Sequence, residues 1–181
     1  MSMDNYRPAR LRIFSHITQR QILHVEDALE INKIVLDAYT YARNQGSSQH
    51  CTCYIDADDA RLLAHQLITG SLVEPWTDYK GSVNRKTGEV IARVLTIEPT
   101  EGTKIAGYRI SCAQGPGSRM DSGAVKPAGK LDKISVLLPA RDALKMALAL
   151  AEHLQAWTIL SYWNRKNETW KPEEEKENGN Q

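Results

Sequence analysis

Short bursts of alternating apolar and polar residues cover most of this chain, and two stretches switch to helical spacing. Over residues 10–18, Leu11, Ile13, Ser15 and Ile17 fall on one side and Arg10, Arg12, Phe14 and His16 on the other. That period of two is what a strand requires. A second short strand is predicted over 21–25. Residues 31–43 read as a longer one, with Ile34, Leu36 and Ala38 on one face. Its other face carries Lys33, Val35, Asp37, Tyr39, Tyr41 and Arg43. After a polar turn at 44–49, Cys51, Cys53 and Ile55 alternate with His50, Thr52 and Tyr54. Asp56 stands where a helix N-cap is wanted and Gly70 where a C-cap is wanted, with a helix to about Leu67 between them.

The second half repeats this grammar. Residues 81–84 and 89–97 read as a hairpin joined by the turn Arg85-Lys86-Thr87-Gly88. Residues 107–113 form a further strand, and a Gly/Pro-rich basic loop spans 114–130. Residues 133–138 are a short apolar strand. Pro139 opens a long helix, where its missing N–H costs nothing. Ala143, Ala147, Leu150, Leu154 and Trp157 recur along that helix at the spacing of one buried face.

The two helix entries superpose at an offset of 83 residues. Cys51, Cys53 and Ile55 fall on Ile134, Val136 and Leu138, while Ala57, Asp59, Ala60, Ala64 and Leu67 fall on Ala140, Asp142, Ala143, Ala147 and Leu150. The expected architecture is α+β: a duplicated β-β-β-β-α unit, with two antiparallel sheets and two helices in one compact domain. The units span 8–72 and 80–163 of a domain at 1–163. Residues 164–181, with Pro172 and a glutamate run, read as a disordered acidic tail.

Composition narrows the class. With 41% hydrophobic and 25% charged residues the chain is an ordinary globular one, not a disordered or fibrous one. It contains no apolar run of the roughly 20 residues a membrane span needs, so no membrane partner is expected. Three cysteines (Cys51, Cys53, Cys112) and a start without a signal-like segment point to a reducing compartment, and a cytoplasmic location is expected. Net charge is only +1, but residues 1–79 carry seven Lys/Arg against ten Asp/Glu, and residues 80–133 carry ten against five. Positive charge so concentrated favours anionic partners.

Two features fit that charge. Strand faces carrying Arg10, Arg12, Phe14, Lys33, Tyr39, Tyr41 and Arg43 supply cations for phosphates and rings on which unpaired bases stack. The loop 114–130 and its surroundings add Arg93, Lys104, Arg109, Arg119, Lys126 and Lys130 among glycines that let a backbone approach an anion. The first feature favours a single-stranded DNA- or RNA-binding protein of little sequence preference. The second leaves open a nucleotide or anion sensor, or sponge, built on the loop. A third reading is self-association through the 140–163 helix with Trp157 and Trp163.

Chemistry is not called for. His50-Cys51-x-Cys53 lacks the paired clusters of structural zinc, so neither metal nor cofactor is expected. Asp56, Asp58 and Asp59 crowd a helix start, where the dipole explains them. No nucleophile-elbow or metalloprotease spacing occurs, so the chain does not read as an enzyme.

A β-β-β-β-α arrangement used twice resembles the whirly and PC4-like single-stranded DNA-binding fold, over about residues 8–163. The resemblance is one of architecture. It implies binding of unpaired strands through strand faces and basic edges, without a reaction. The binding residues named above rest on strand alternation and charge alone.

Overall fold

Each run of alternating residues becomes a strand, and the strands sort into two antiparallel sheets. The computed structural model describes residues 10–42, 46–84, 87–100 and 106–169. Sheet A has the order β1 (Arg12–Ile17), β2 (Gln21–Ala28), β3 (Lys33–Ala42), β4 (Gly46–Asp56). Helix α1 (Ala57–Thr69) follows β4 directly. Sheet B is built from β5 (Trp76–Val83), β6 (Val90–Pro99), β7 (Gly107–Arg119), β8 (Val125–Pro127) and β9 (Asp132–Pro139), with β9 pairing β7, and α2 (Ala140–Thr169) follows. The β-β-β-β-α unit is therefore used twice, with β8 inserted in the second.

The core lies between the inner faces of the sheets. Leu23, Val25, Ile34, Leu36, Cys53 and Ile55 of sheet A meet Leu95, Ile97, Ile110, Cys112, Ile134 and Val136 of sheet B, all buried. The cysteines explain themselves here as small apolar residues with a weak donor. Each thiol points to a carbonyl of the opposite sheet: Cys51 to Asp132 at 3.4 Å, Cys53 to Val94 at 3.5 Å and Cys112 to Leu36 at 4.0 Å. The helices close the open ends through Ala60, Leu63, Ala64 and Leu67 of α1 and Ala143, Met146, Ala147, Leu150 and Leu154 of α2. Two histidine–carboxylate pairs tie α2 to sheet A, His16 to Asp142 at 3.6 Å and His153 to Asp27 at 2.6 Å.

Several expectations are corrected. A bulge in β1 sets Arg12 opposite Glu26 but Phe14 opposite Val25, so Ile13 is the extra residue. The alternation read through 10–18 therefore flips in mid-strand, and Phe14 packs on the core, with His16 inward towards α2. Asp56 precedes α1 but its side chain makes no cap bond; it binds Lys33 and Lys80 instead. The C-cap holds, with Gly70 left-handed and its N–H on the Gln66 carbonyl. Trp157 lies off the buried stripe, 38% exposed. Helix α2 continues through 164–169, residues assigned to the tail; 170–181 lie outside the described residues.

The segment 114–130 is not a glycine-rich loop. Strand β7 runs on to Arg119 and returns as β8, and this hairpin folds back on the outer face of sheet B. Val125 sits against Gly81 and Gly117; a Cβ on Gly117 would lie 2.7 Å from Val125 and 2.9 Å from the Ala92 nitrogen. These glycines make room for the chain's own side chains, a packing role and not an anion cradle.

Candidate nucleic-acid interface

Sheet B is laid so that its inner face overhangs β4, the edge strand of sheet A. Arg93 stands on the same face of β6 as Leu95 and Ile97 but reaches past that edge, with its guanidinium 5.5 Å from the centre of the Tyr54 ring. Gln114, opposite Arg93 on β7, does something more specific. Its Oε1 accepts the Thr52 amide at 3.1 Å and its Nε2 donates to the His50 carbonyl at 2.8 Å. One side-chain amide thus satisfies backbone groups that an edge strand would leave open to another chain.

The outer face of sheet A and this overhang form a corner that follows β4. From His50 to Asp56 it runs roughly 20 Å at the rise of a strand. One end is a concavity of about 380 Å³ lined by Arg10, Asp37, His50, Thr52, Arg93 and Gln114. The other holds about 270 Å³ beside Lys33, Lys80, Gly81 and Ser82. Tyr54 and Arg93 belong to both and form the saddle between them. Arg10 lies 5.7 Å from the Tyr54 ring on its own account and donates to its hydroxyl at 3.3 Å.

Three rings cross the outer face of sheet A in a row. Tyr39 is stacked on His50, with centroids 4.3 Å apart and planes 3° from parallel, and is tilted against His24 at 5.7 Å. Beside this row Asp37 accepts the Thr52 hydroxyl at 2.5 Å and meets His50 Nε2 at 3.1 Å. Thr52 Oγ1 also lies 3.1 Å from the same Nε2. In a catalytic relay the acid and the hydroxyl occupy opposite ring nitrogens; here both meet the same nitrogen of His50.

The charges are partly spoken for. Asp56 takes both Lys33 and Lys80, the latter at 2.6 Å, and Lys80 also meets Asp78 at 3.2 Å. Hydrogen bonds from Lys33 and then Lys80 hold the Asp56 carboxyl below its ordinary range. Burial pulls Lys80 down, but its bonds to Asp56 and Asp78 outweigh this and leave it raised. Burial, then the charge of Asp37, pushes the Tyr39 hydroxyl up, so the phenol stays neutral.

The residues singled out in the sequence separate into groups. Arg10, Arg12 and Tyr39 share the outer face of sheet A, where Arg12 pairs with Glu26 at 3.6 Å. Lys33 and Arg93 line the corner. Tyr41 spends its hydroxyl on the Thr18 carbonyl beside the β1–β2 turn. Arg109 pairs with Glu98 at 2.8 Å on the outer face of sheet B. Arg119, Lys126 and Lys130 are exposed on or beside the β7–β8 hairpin and line neither concavity. Arg43 and Lys104 lie outside the described residues.

Sequence reasoning passed over Tyr54, His50, Thr52, Asp37, Lys80 and Gln114. The alternation His50–Thr52–Tyr54 opposite the buried cysteines, and the place of Asp37 on the strand face of Lys33 and Tyr39, were the available signals. Lys80 and Gln114 gave none, because they come from the other half of the chain. Among the described residues, no group of three or more histidine, cysteine or acidic side chains is arranged to hold a metal. No helix there is long and apolar enough to cross a membrane.

No family model matches this sequence, and no curated protein matches it either. Solved structures do. The plant transcriptional regulator PBF-2 superposes with a TM-score of 0.57 at 11% identity, over 92% of this chain and 91% of that one. WHY3 from Arabidopsis thaliana superposes with a TM-score of 0.56 at 12% identity, over 88% and 97%. Agreement over nearly the whole of both chains at so low an identity is agreement of architecture, and the fold is whirly-like.

Proposed function

We propose that this protein binds single-stranded nucleic acid along the β4 corner, without chemistry and with affinity carried mainly by stacking and phosphate contacts. The ring row His24–Tyr39–His50 beside Arg10, Tyr54 and Arg93 is the observation that carries this reading. Unpaired bases stack on such rings at roughly 1–3 kcal/mol each, and cations beside them track the backbone. A duplex keeps its bases stacked internally and has no use for the row. The fold shared with a plant transcriptional regulator supports the same reading.

The helices suit self-association. Leu144, Leu148, Trp157, Ile159, Leu160 and Trp163 are exposed on α2, with Leu160 at 61% and Trp163 at 52%. Apolar side chains gathered on one helix and left to solvent mark an interaction surface. A second copy on this surface would bring further corners to one strand and raise avidity.

Fluorescence anisotropy of the full chain with labelled single-stranded and duplex oligonucleotides, at two salt concentrations, tests the proposal. The expected result is a preference for the single strand that weakens as salt rises, because each neutralised phosphate releases counterions. Equal affinity for both forms, or none for either at low salt, overturns it.

A further inference from the structure

The corner is not uniform along its length, and its two ends ask for different parts of a strand. At the Lys33–Lys80 end, the two ammonium groups that share Asp56, together with the Ser82 hydroxyl, line the concavity. At the other end the group against the wall is a carboxylate: Asp37 is 6% exposed, and its hydrogen bonds from Thr52 and His50 converge on Oδ1. Arg10 and Arg93 line the same wall, so this end sets a carboxylate acceptor beside guanidinium donors, a combination that a base edge carrying both donors and an acceptor can meet. A ledge for a base is present as well. Tyr39 covers one face of the His50 ring, and His50 remains 46% exposed and lines the same concavity.

Resting on the reading of the corner as a single-strand site, we propose that the pocket at Asp37, His50 and Arg10 reads one base of the bound strand and selects guanine. The four bases differ in what their pairing edge offers a buried acceptor beside a guanidinium. Guanine presents two adjacent donors, N1–H and the 2-amino group, to the carboxylate, and its O6 as an acceptor to the arginine. Thymine and uracil offer a single N–H between two carbonyls, so an oxygen faces the carboxylate. Adenine offers one amino group next to a ring nitrogen lone pair. Cytosine can give its amino group to Asp37, but it brings one donor where guanine brings two and stacks a smaller ring on His50. About 380 Å³ admits a purine. The protein is then a general single-strand binder with one specified position per corner.

The experiment is a competition series on the full chain. Short oligothymidylate is compared with the same oligonucleotide carrying one central guanine, inosine, adenine or cytosine. Guanine is expected to bind about tenfold tighter than thymine, within the range of one good two-point base contact. Inosine, which lacks the 2-amino group, should fall between them. In Asp37→Asn, and in Asp37→Ser, which copies the serine found at the matching position of sheet B, the guanine-to-thymine ratio is expected to drop to about one. Circular dichroism establishes that at least one of the two variants is folded. Equal affinity for guanine and thymine in the wild type overturns the inference while leaving single-strand binding intact. So does a cytosine preference, or a guanine preference that survives in a folded Asp37 variant. Absence of binding to every oligonucleotide overturns the single-strand reading itself.

Discussion

Sheets A and B match position for position on their buried faces and diverge on their outer ones. Leu23 pairs with Ala38 and Val25 with Leu36 in sheet A; Leu95 pairs with Cys112 and Ile97 with Ile110 in sheet B. Cys51 and Cys53 stand where Ile134 and Val136 stand, and every one of these side chains is buried. On the outside, Asp37 opposite Thr52 answers to Ser111 opposite Ser135, whose hydroxyls are 2.8 Å apart. Tyr39 opposite His50 answers to Ala113 opposite Lys133. The inner positions are held to type because each must fill a fixed volume between the sheets. The outer face of A was free to acquire rings and a carboxylate, whereas that of B is partly covered by its own β7–β8 hairpin.

The comparison can be broken most forcefully in the core. Leu23→Ala and Leu95→Ala remove equivalent side chains, and each is expected to cost about 2–5 kcal/mol in urea unfolding. A large gap between them would show that the two inner faces are not energetically alike. Next in size is the feature only sheet B has. Gly117→Ala places a methyl against Val125 and Ala92, at an expected cost of about 1–3 kcal/mol. Adding Val125→Ala should restore part of that loss. If it restores none, the hairpin is not what the glycine accommodates.

Binding variants sharpen the contrast between outer faces. Tyr39→Ala in a folded protein should weaken single-strand binding by about 1–3 kcal/mol in anisotropy titrations. Arg109→Ala, on the face of sheet B, should change it by far less. An equal loss from both would place the strand elsewhere. The smallest effect expected is on pH dependence. Burial, with Arg12 adding to it, holds His24 below the ordinary histidine value. As pH falls below about 6.5 the unfolded chain therefore takes up this proton first, and stability declines until the folded histidine is protonated too. Asp56 acts in a lower window: its depressed carboxyl contributes stability above about pH 4 that is lost as pH falls through its folded value. His24→Thr, copying Thr96 of sheet B, should flatten the upper decline and leave the lower one; urea midpoints across the pH range measure both.

Much of the fold is legible in the sequence. The alternation at 51–55 and 134–138, the left-handed glycine at 70 and the offset of 83 residues pointed to two units of like design, and the strand order bears that architecture out. The proposed corner was less legible. Charge and strand face pointed to Arg10, Tyr39 and Lys33, and charge to Arg93, all of which the structure brings to the outer face of sheet A or the corner, but Phe14 was misplaced by a single bulge residue. Such a residue leaves no mark in the pattern, since Ile13 is apolar in either register.

The sequence by itself determined which side chains each strand turns to one face, and hence the two sheets and the buried set they share. That information is local, carried by a period of two within each strand. Only the tertiary structure decided which face stays open and what stands over it. The corner draws Arg10, Asp37 and Tyr54 from one sheet and Lys80, Arg93 and Gln114 from the other. Their meeting depends on where one sheet's edge falls beneath its partner, and that is set by packing the whole core, not by any segment of the chain.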